Sequence, residues 1–227
     1  MVEAAENLLS FSSRDSSGKN QKRYYLGIDV GSVCVSVVLI DQSGELIQRE
    51  YRRHYGEPEE LLKKILAAFP LEEVVAYGLT GSGAGRLGLP VQVLNDAVAQ
   101  VEAVRFLIPS ARNILSVGGG SFSLTELDDK GNFLRNVTNS ACASGTGAFL
   151  DQQAIRLGLS PEKLGKIASR YRGVVPPVAT RCAVFAKTDM IHLQQEGFPI
   201  EAVAKGLCYG LGESTVEGIL GGRKIKG

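Results

Sequence analysis

The sequence predicts an α/β protein: a β-rich α/β lobe followed by a mainly helical one. Three observations carry that reading. A strand–glycine turn–strand–turn–strand pattern opens the ordered part of the chain, and "RNILSVGGGSFSLTELDDKGNFLRNVTN" repeats it. From about Ser140 onward the apolar spacing changes to a helical period. Hydrophobic residues make up 44% and charged residues 22% of 227 residues, which is enough chain and enough core for two lobes.

The elements follow in order. Residues 1–23 form a polar N-terminal tail rich in Ser, Asn, Lys and Arg, with Glu3 and Glu6 where a signal peptide needs positive charge. The first lobe spans 24–139. "RYYLGIDV", "VCVSVVLID" and "ELIQREYRRHY" read as a three-strand meander turned by "GS" and "QSG". "EPEELLKKILAAF" places Leu61, Leu62, Ile65, Leu66 and Phe69 on one helical face, with Pro58 in its first turn. "VVAYGLT" reads as a buried strand, "GSGAGRLG" as a flexible connection and "PVQVL" as a short strand. Asn95 or Asp96 can then cap a helix to about Phe106. The second lobe spans 140–227, with helices expected at 146–157, 160–170 (capped by "SPEK"), 183–196 and 200–220.

Function classes narrow quickly. A formal net charge of +1 gives no bulk attraction to nucleic acid or an anionic membrane. No apolar run approaches the roughly 20 residues of a membrane span. Cys34, Cys142, Cys182 and Cys208 form no C-x-x-C pair, so a reduced cytoplasmic setting is expected over a disulfide framework.

Two turns could bind phosphate. "GIDVGS" (27–32) and "SVGGGS" (116–121) stand at matching places in the two hairpins. Gly31 with Ser32, and Gly118, Gly119 and Gly120 with Ser121, can present N–H groups to phosphate oxygens, and Asp29 can hold a Mg²⁺–water shell or orient a water. Each turn alone reads first as a plain hairpin, with Asp29 capping its own turn; the pair favours a phosphate clamp. Neither is a Walker A loop or a Rossmann fingerprint. Cys142, just before Gly145 and Gly147, and Cys182 each precede a predicted helix, whose N-terminal end stabilises negative charge. Composition alone leaves both as small buried hydrophobes.

"YLGIDVGS", "TNSACASGTGAFLDQ" and "ATRCAVFAKTDM" together resemble the 2-hydroxyacyl-CoA dehydratase activator and benzoyl-CoA reductase ATPase family, from about Tyr24 onward. "YRRHYGEPEELL" and "AKTDM" look closest to the activator modules that begin the long multi-domain members. The resemblance implies an actin/Hsp70/sugar-kinase-like (ribonuclease H-like) fold. It implies ATP/ADP with Mg²⁺ in each subunit of a homodimer, and one [4Fe-4S] cluster between subunits, held by Cys142 and Cys182 of each. It implies delivery of a low-potential electron to an acyl-CoA dehydratase or reductase component. Two thiolates per chain doubled by a two-fold axis supply the four that such a cluster needs.

The sequence also departs from that pattern. Val35 and Ser36 stand where the family has a hydroxyl–lysine pair, and Ser116 and Ser121 replace two carboxylates. A serine neither neutralises Mg²⁺ nor acts as a base near neutral pH. The sequence stops before the strand and glycine pair that hold adenosine in the family, and its "GG" at 221–222 reads as a helix cap. The expectation is either a piece of a longer protein or an incomplete adenosine pocket. ATPase activity is therefore expected only if the full-length protein retains hydrolysis. The alternatives are an iron–sulfur electron-transfer or docking module with a degenerate ATPase site, and a small-molecule kinase using Asp96 or Asp151. Cys34 and Cys208 read as packing residues, His192 as a solvent or interface residue and His54 as part of a basic edge strand. Lys187 and Asp189 read as residues that tune the cluster or form the partner surface, or equally as a surface ion pair.

Overall fold

A computed structural model describes residues 23–88, 92–138, 146–180 and 182–220. The chain divides into two compact units, one ending at Glu102 and the other beginning at Ala103. The first turn thus belongs to one unit, and the second turn joins the helices in the other.

In the first unit, β1 (Tyr24–Val30), β2 (Cys34–Ile40) and β3 (Leu46–Arg53) form the expected antiparallel meander. β4 (Val74–Thr80) adds parallel to β1, giving the order β3-β2-β1-β4. Alternation along β1 and β2 sends Leu26, Ile28, Val30, Val35, Val37 and Leu39 to one face. There α1 (Pro58–Leu66) covers them with Leu62, Ile65 and Leu66. Each such burial stabilises by about 1.5–3 kcal/mol. Pro58 at the first helical position, Glu59 and Glu60 in the first turn and Lys63 and Lys64 in the last explain where α1 begins and ends.

The "GSGAGRLG" stretch corrects the expectation of a flexible connection. Ala84–Leu87 form a 3₁₀ turn, Ala84 and Leu87 are buried in the core, and Gly83 N–H donates to Val30 O at 2.7 Å. The short strand expected at "PVQVL" reduces to one parallel bridge, Leu79 to Val93, with residues 89–91 outside the described ones. α2 (Asp96–Leu107) follows, and its cap is Asn95, whose Oδ1 accepts Ala97 N–H at 2.9 Å.

In the second unit, β5 (Asn113–Val117), β6 (Phe122–Leu127) and β7 (Phe133–Thr138) form a three-stranded antiparallel sheet. The repeat reaches the hydrogen bonds. Gly31 N–H donates to Cys34 O at 2.9 Å, and Gly118 N–H to Ser121 O at 2.8 Å. At the far ends, Asp41 accepts the amides of Ser43 and Glu45, and Asp128 those of Lys130 and Asn132. Gly44 and Gly131 supply the left-handed residue of each turn, at φ 85° and 79°. Even the register shift recurs, between Leu39 and Ile40 and between Glu126 and Leu127. All these pairs share one sequence offset.

Helices α3 (Gly147–Arg156), α4 (Pro161–Arg170), α5 (Ala183–Gln195) and α6 (Ile200–Leu220) complete the unit within a residue or so of expectation. Ser160 Oγ caps α4 through Lys163 N–H at 3.2 Å. Phe149, Leu164, Ala186, Met190, Val203 and Leu207 form the helical core. The far end of α6 meets the sheet at Phe122, Leu124 and Ile219. Among the described residues no helix is long and apolar enough to cross a membrane.

Candidate functional site

Asp29 stands at the end of β1 on the face opposite the core, cross-strand from Ser36 and beside Gly31 and the exposed Ser32. Burial, and then the negative charge of Asp96, push the Asp29 carboxyl above the usual carboxylate range. Asp96 is held where it can do this. Its Oδ1 accepts Gly81 N–H at 2.8 Å and lies 2.6 Å from Thr80 Oγ1. Gly81, at φ 105°, leaves β4 so close to β1 that a Cβ would overlap Val30 O and Asp29 Oδ1. Two carboxylates therefore converge at one sheet end, Asp96 with its Oδ1 hydrogen-bonded and Asp29 partly desolvated while still reaching solvent. Such a pair can bind a hydrated divalent cation or orient a water.

Sequence reasoning had Asp29, and Asp96 only as a candidate helix cap or a kinase residue. It missed Thr80, Gly81 and Gly83, whose signal was the glycine spacing after β4. It also missed Tyr51, whose phenol hydrogen-bonds with Cys34; that bond first, then burial, pushes its pKa up. Cys34 thus sits on the polar sheet face, half-buried, rather than in the core. Cys208 does pack against the helical core, and burial pushes its thiol up. His192 is exposed, and His54 lies in the turn after β3, where its Nδ1 accepts Gly56 N–H.

In the second unit, Gly118, Gly120 and Ser121 are exposed at the turn, and Ser116 takes the place that Asp29 has in the first. The carbonyls of Gly118 and Gly119 accept the first amides of α3, from Gly147 and Ala148, both at 2.9 Å. Gly147 is thus committed to the turn; a Cβ there would lie 3.1 Å from Gly118 O. Cys142 and Gly145 lie outside the described residues. Cys182 is the residue before α5, half-buried, with a free thiol that makes no capping bond. Asp151 lies in the first half of α3. Among the described residues no three potential ligands gather as a metal site.

The model of the BadF/BadG/BcrA/BcrD ATPase family matches residues 26–217. The chain belongs to that family. It is 27% identical over 189 residues to the 2-hydroxyisocaproyl-CoA dehydratase activator of Clostridioides difficile, covering 81% of this chain and 71% of that one. It is equally similar, 27% over 189 residues, to the activator of lactoyl-CoA dehydratase of Anaerotignum propionicum, covering 81% and 73%. The fold of this family member matches the activator of the 2-hydroxyisocaproyl-CoA dehydratase from Clostridium difficile, solved with bound ADPNP. The TM-score is 0.77 at 24% identity, over 86% of this chain and 74% of that one. The fold is accordingly the actin/sugar-kinase-like α/β fold.

Proposed function

We propose that this protein is an ATP-dependent activator of a 2-hydroxyacyl-CoA dehydratase, or of a benzoyl-CoA reductase type partner. The observation that carries the proposal is the match over four-fifths of the chain to two named dehydratase activators. The N–H groups of Gly31 and Gly118 close their own turns, so they are not the phosphate donors the sequence suggests. The amides of Ser32 in the first turn and of Gly119 and Gly120 in the second serve phosphate oxygens of ATP. Asp29 and Asp96 serve Mg²⁺ and its water, with Asp29 orienting the attacking water. Desolvation raises the basicity of Asp29, which suits that task.

Cys182, with Cys142, would hold a [4Fe-4S] cluster shared with a second copy. Its fit is local and physical. The sulfur stands at the positive end of a 13-residue helix, where negative charge is stabilised. Val184, Phe185 and Ile191 expose an apolar stripe next to it, suited to a homodimer contact. Bound there, the cluster would supply one electron at low potential. The same reading puts the protein in the cytoplasm, where thiols stay reduced.

Ser36 and Ser116 favour a second reading, an electron-transfer module that no longer hydrolyses ATP. One experiment separates them. Anaerobic reconstitution of the full chain should give about two irons per chain, a dimer and cluster-dependent ATP turnover. Cys182→Ser should lose iron and dimer together. Iron without turnover selects the second reading, and a colourless monomer overturns both.

A further inference from the structure

The segment entering α5 is gripped from two sides. Residues 176–180 lie against α6 where its side chains vanish. A Cβ on Gly206 would come within 2.5 Å of Pro176 O, and one on Gly210 within 2.6 Å of Thr180 Cγ2 and 2.8 Å of Val178 O. Thr180 is 5% exposed. Its Oγ1 donates to Gly210 O at 2.7 Å and lies 2.7 Å from Ser214 Oγ, so Ser214 can donate in return. From the other side, Asp189 Oδ2 accepts Ala179 N–H at 2.8 Å. Asp189 sits about two turns into α5, beyond Cys182. The bond therefore closes a ring from Ala179 to Asp189 that contains Cys182. Asp189 is not the partner of Lys187 in this arrangement; it is spent on the backbone before the cysteine.

We propose that Asp189 and Thr180 are positioning residues for the Cys182 thiol. Thr180 ties the thiol's approach segment to α6 and Asp189 ties it to α5, so the sulfur moves with the two helices and not with the loop. This rests on reading Cys182 as a cluster ligand. A ligand sulfur works only within narrow geometric limits, and the groups that hold it there carry much of a site's affinity. Gly206 and Gly210 have a matching reason: any side chain would lift the segment off α6.

The test uses the full-length chain and four variants: Asp189→Ala, Asp189→Asn, Gly210→Ala and Thr180→Val. In iron-free protein, iodoacetamide alkylation is followed peptide by peptide. Loss of a charged-group hydrogen bond predicts about tenfold faster alkylation of Cys182 in Asp189→Ala. Gly210→Ala, acting from the other helix, should match it, and so should Thr180→Val. Cys208, on α6, should be unchanged and reports any global loosening. Asp189→Asn should stay near wild type, because its Oδ1 still accepts Ala179 N–H. After reconstitution, Asp189→Ala should lose iron to a chelator about tenfold faster than wild type or Asp189→Asn. Wild-type alkylation of Cys182 in both Asp189→Ala and Gly210→Ala overturns the proposal, whatever the iron content. A wild-type chain that holds no iron overturns the activator reading instead, and the alkylation rates then decide the positioning by themselves.

Discussion

The two hairpins share a turn, a register shift and a capping aspartate, yet only the first carries a carboxylate beside its turn. Asp29 faces Ser36 across β1 and β2; Ser116 faces Ser123 across β5 and β6. The surroundings differ in the same sense. Glycines 81 and 83 press β4 against the first turn and bring Asp96 with them, whereas the second turn is closed by the amides of α3. A repeated backbone thus carries unequal chemistry. On the proposed function, the first hairpin acts on the cation and its water, and the second presents backbone to an anion.

The sharpest way to break this comparison is to remove each hairpin's own residue. Asp29→Asn should lower steady-state ATP turnover about a hundredfold or more, the range for loss of a positioned acid–base group. Ser116→Ala should stay within about twofold of wild type, and equal losses would refute the asymmetry. Stability should move the other way. The folded-state pKa of Asp29 is raised, so its ionisation costs stability as pH rises through that value. Asp29→Asn should therefore melt slightly higher than wild type at neutral pH, and at the same temperature in acid.

Next in size are the glycines. Gly81→Ala must put a side chain at φ 105° and into Val30 O, a cost of about 2–3 kcal/mol. Gly147→Ala meets Gly118 O at 3.1 Å within a helix, where alanine's propensity offsets much of the clash, leaving about 1 kcal/mol or less. Urea denaturation of both variants measures the ratio.

The smallest effect tests the likeness. Hydrogen bonds hold the Asp41 and Asp128 carboxyls below the usual range: for Asp41 first the Ser43 hydroxyl, for Asp128 first the Asn132 amide. A depressed folded pKa contributes stability above the unfolded value, which is lost as pH falls through the folded one. Asp41→Ala and Asp128→Ala should each lower the melting temperature slightly at pH 7 and flatten the acid limb by similar amounts. Unequal flattening would show that the turns match in geometry alone.

What was legible in the sequence is what is local. The meanders follow from alternation and from Gly44 and Gly131, and the helices from periodicity with Ser160 and Pro58 at their starts. Asp29 and the turn glycines were legible because their neighbours in sequence are also their neighbours in space. Asp96 was harder, because its meaning comes from Thr80 and Gly81, at the end of β4 and some 15 residues away. The loop at 81–87 looked flexible because its glycines suggest freedom; in the fold they permit crowding. The hold on Cys182 was invisible for the same reason: Ala179, Asp189, Gly210 and Ser214 meet only after α5 and α6 have packed.

The glycines of α6 bear on how this helix breathes. It is 21 residues long and carries Gly206, Gly210, Gly212 and Gly218. Each costs about 1 kcal/mol of intrinsic helicity relative to alanine. Such a helix persists by its contacts, so its amide exchange should be graded. The first half, covered by residues 176–180, should exchange slowly. The stretch around Gly212, where a Cβ would meet only open space, should exchange faster, before Ile219 restores protection. Exchange along one helix would then map how far the grip on residues 176–180 reaches.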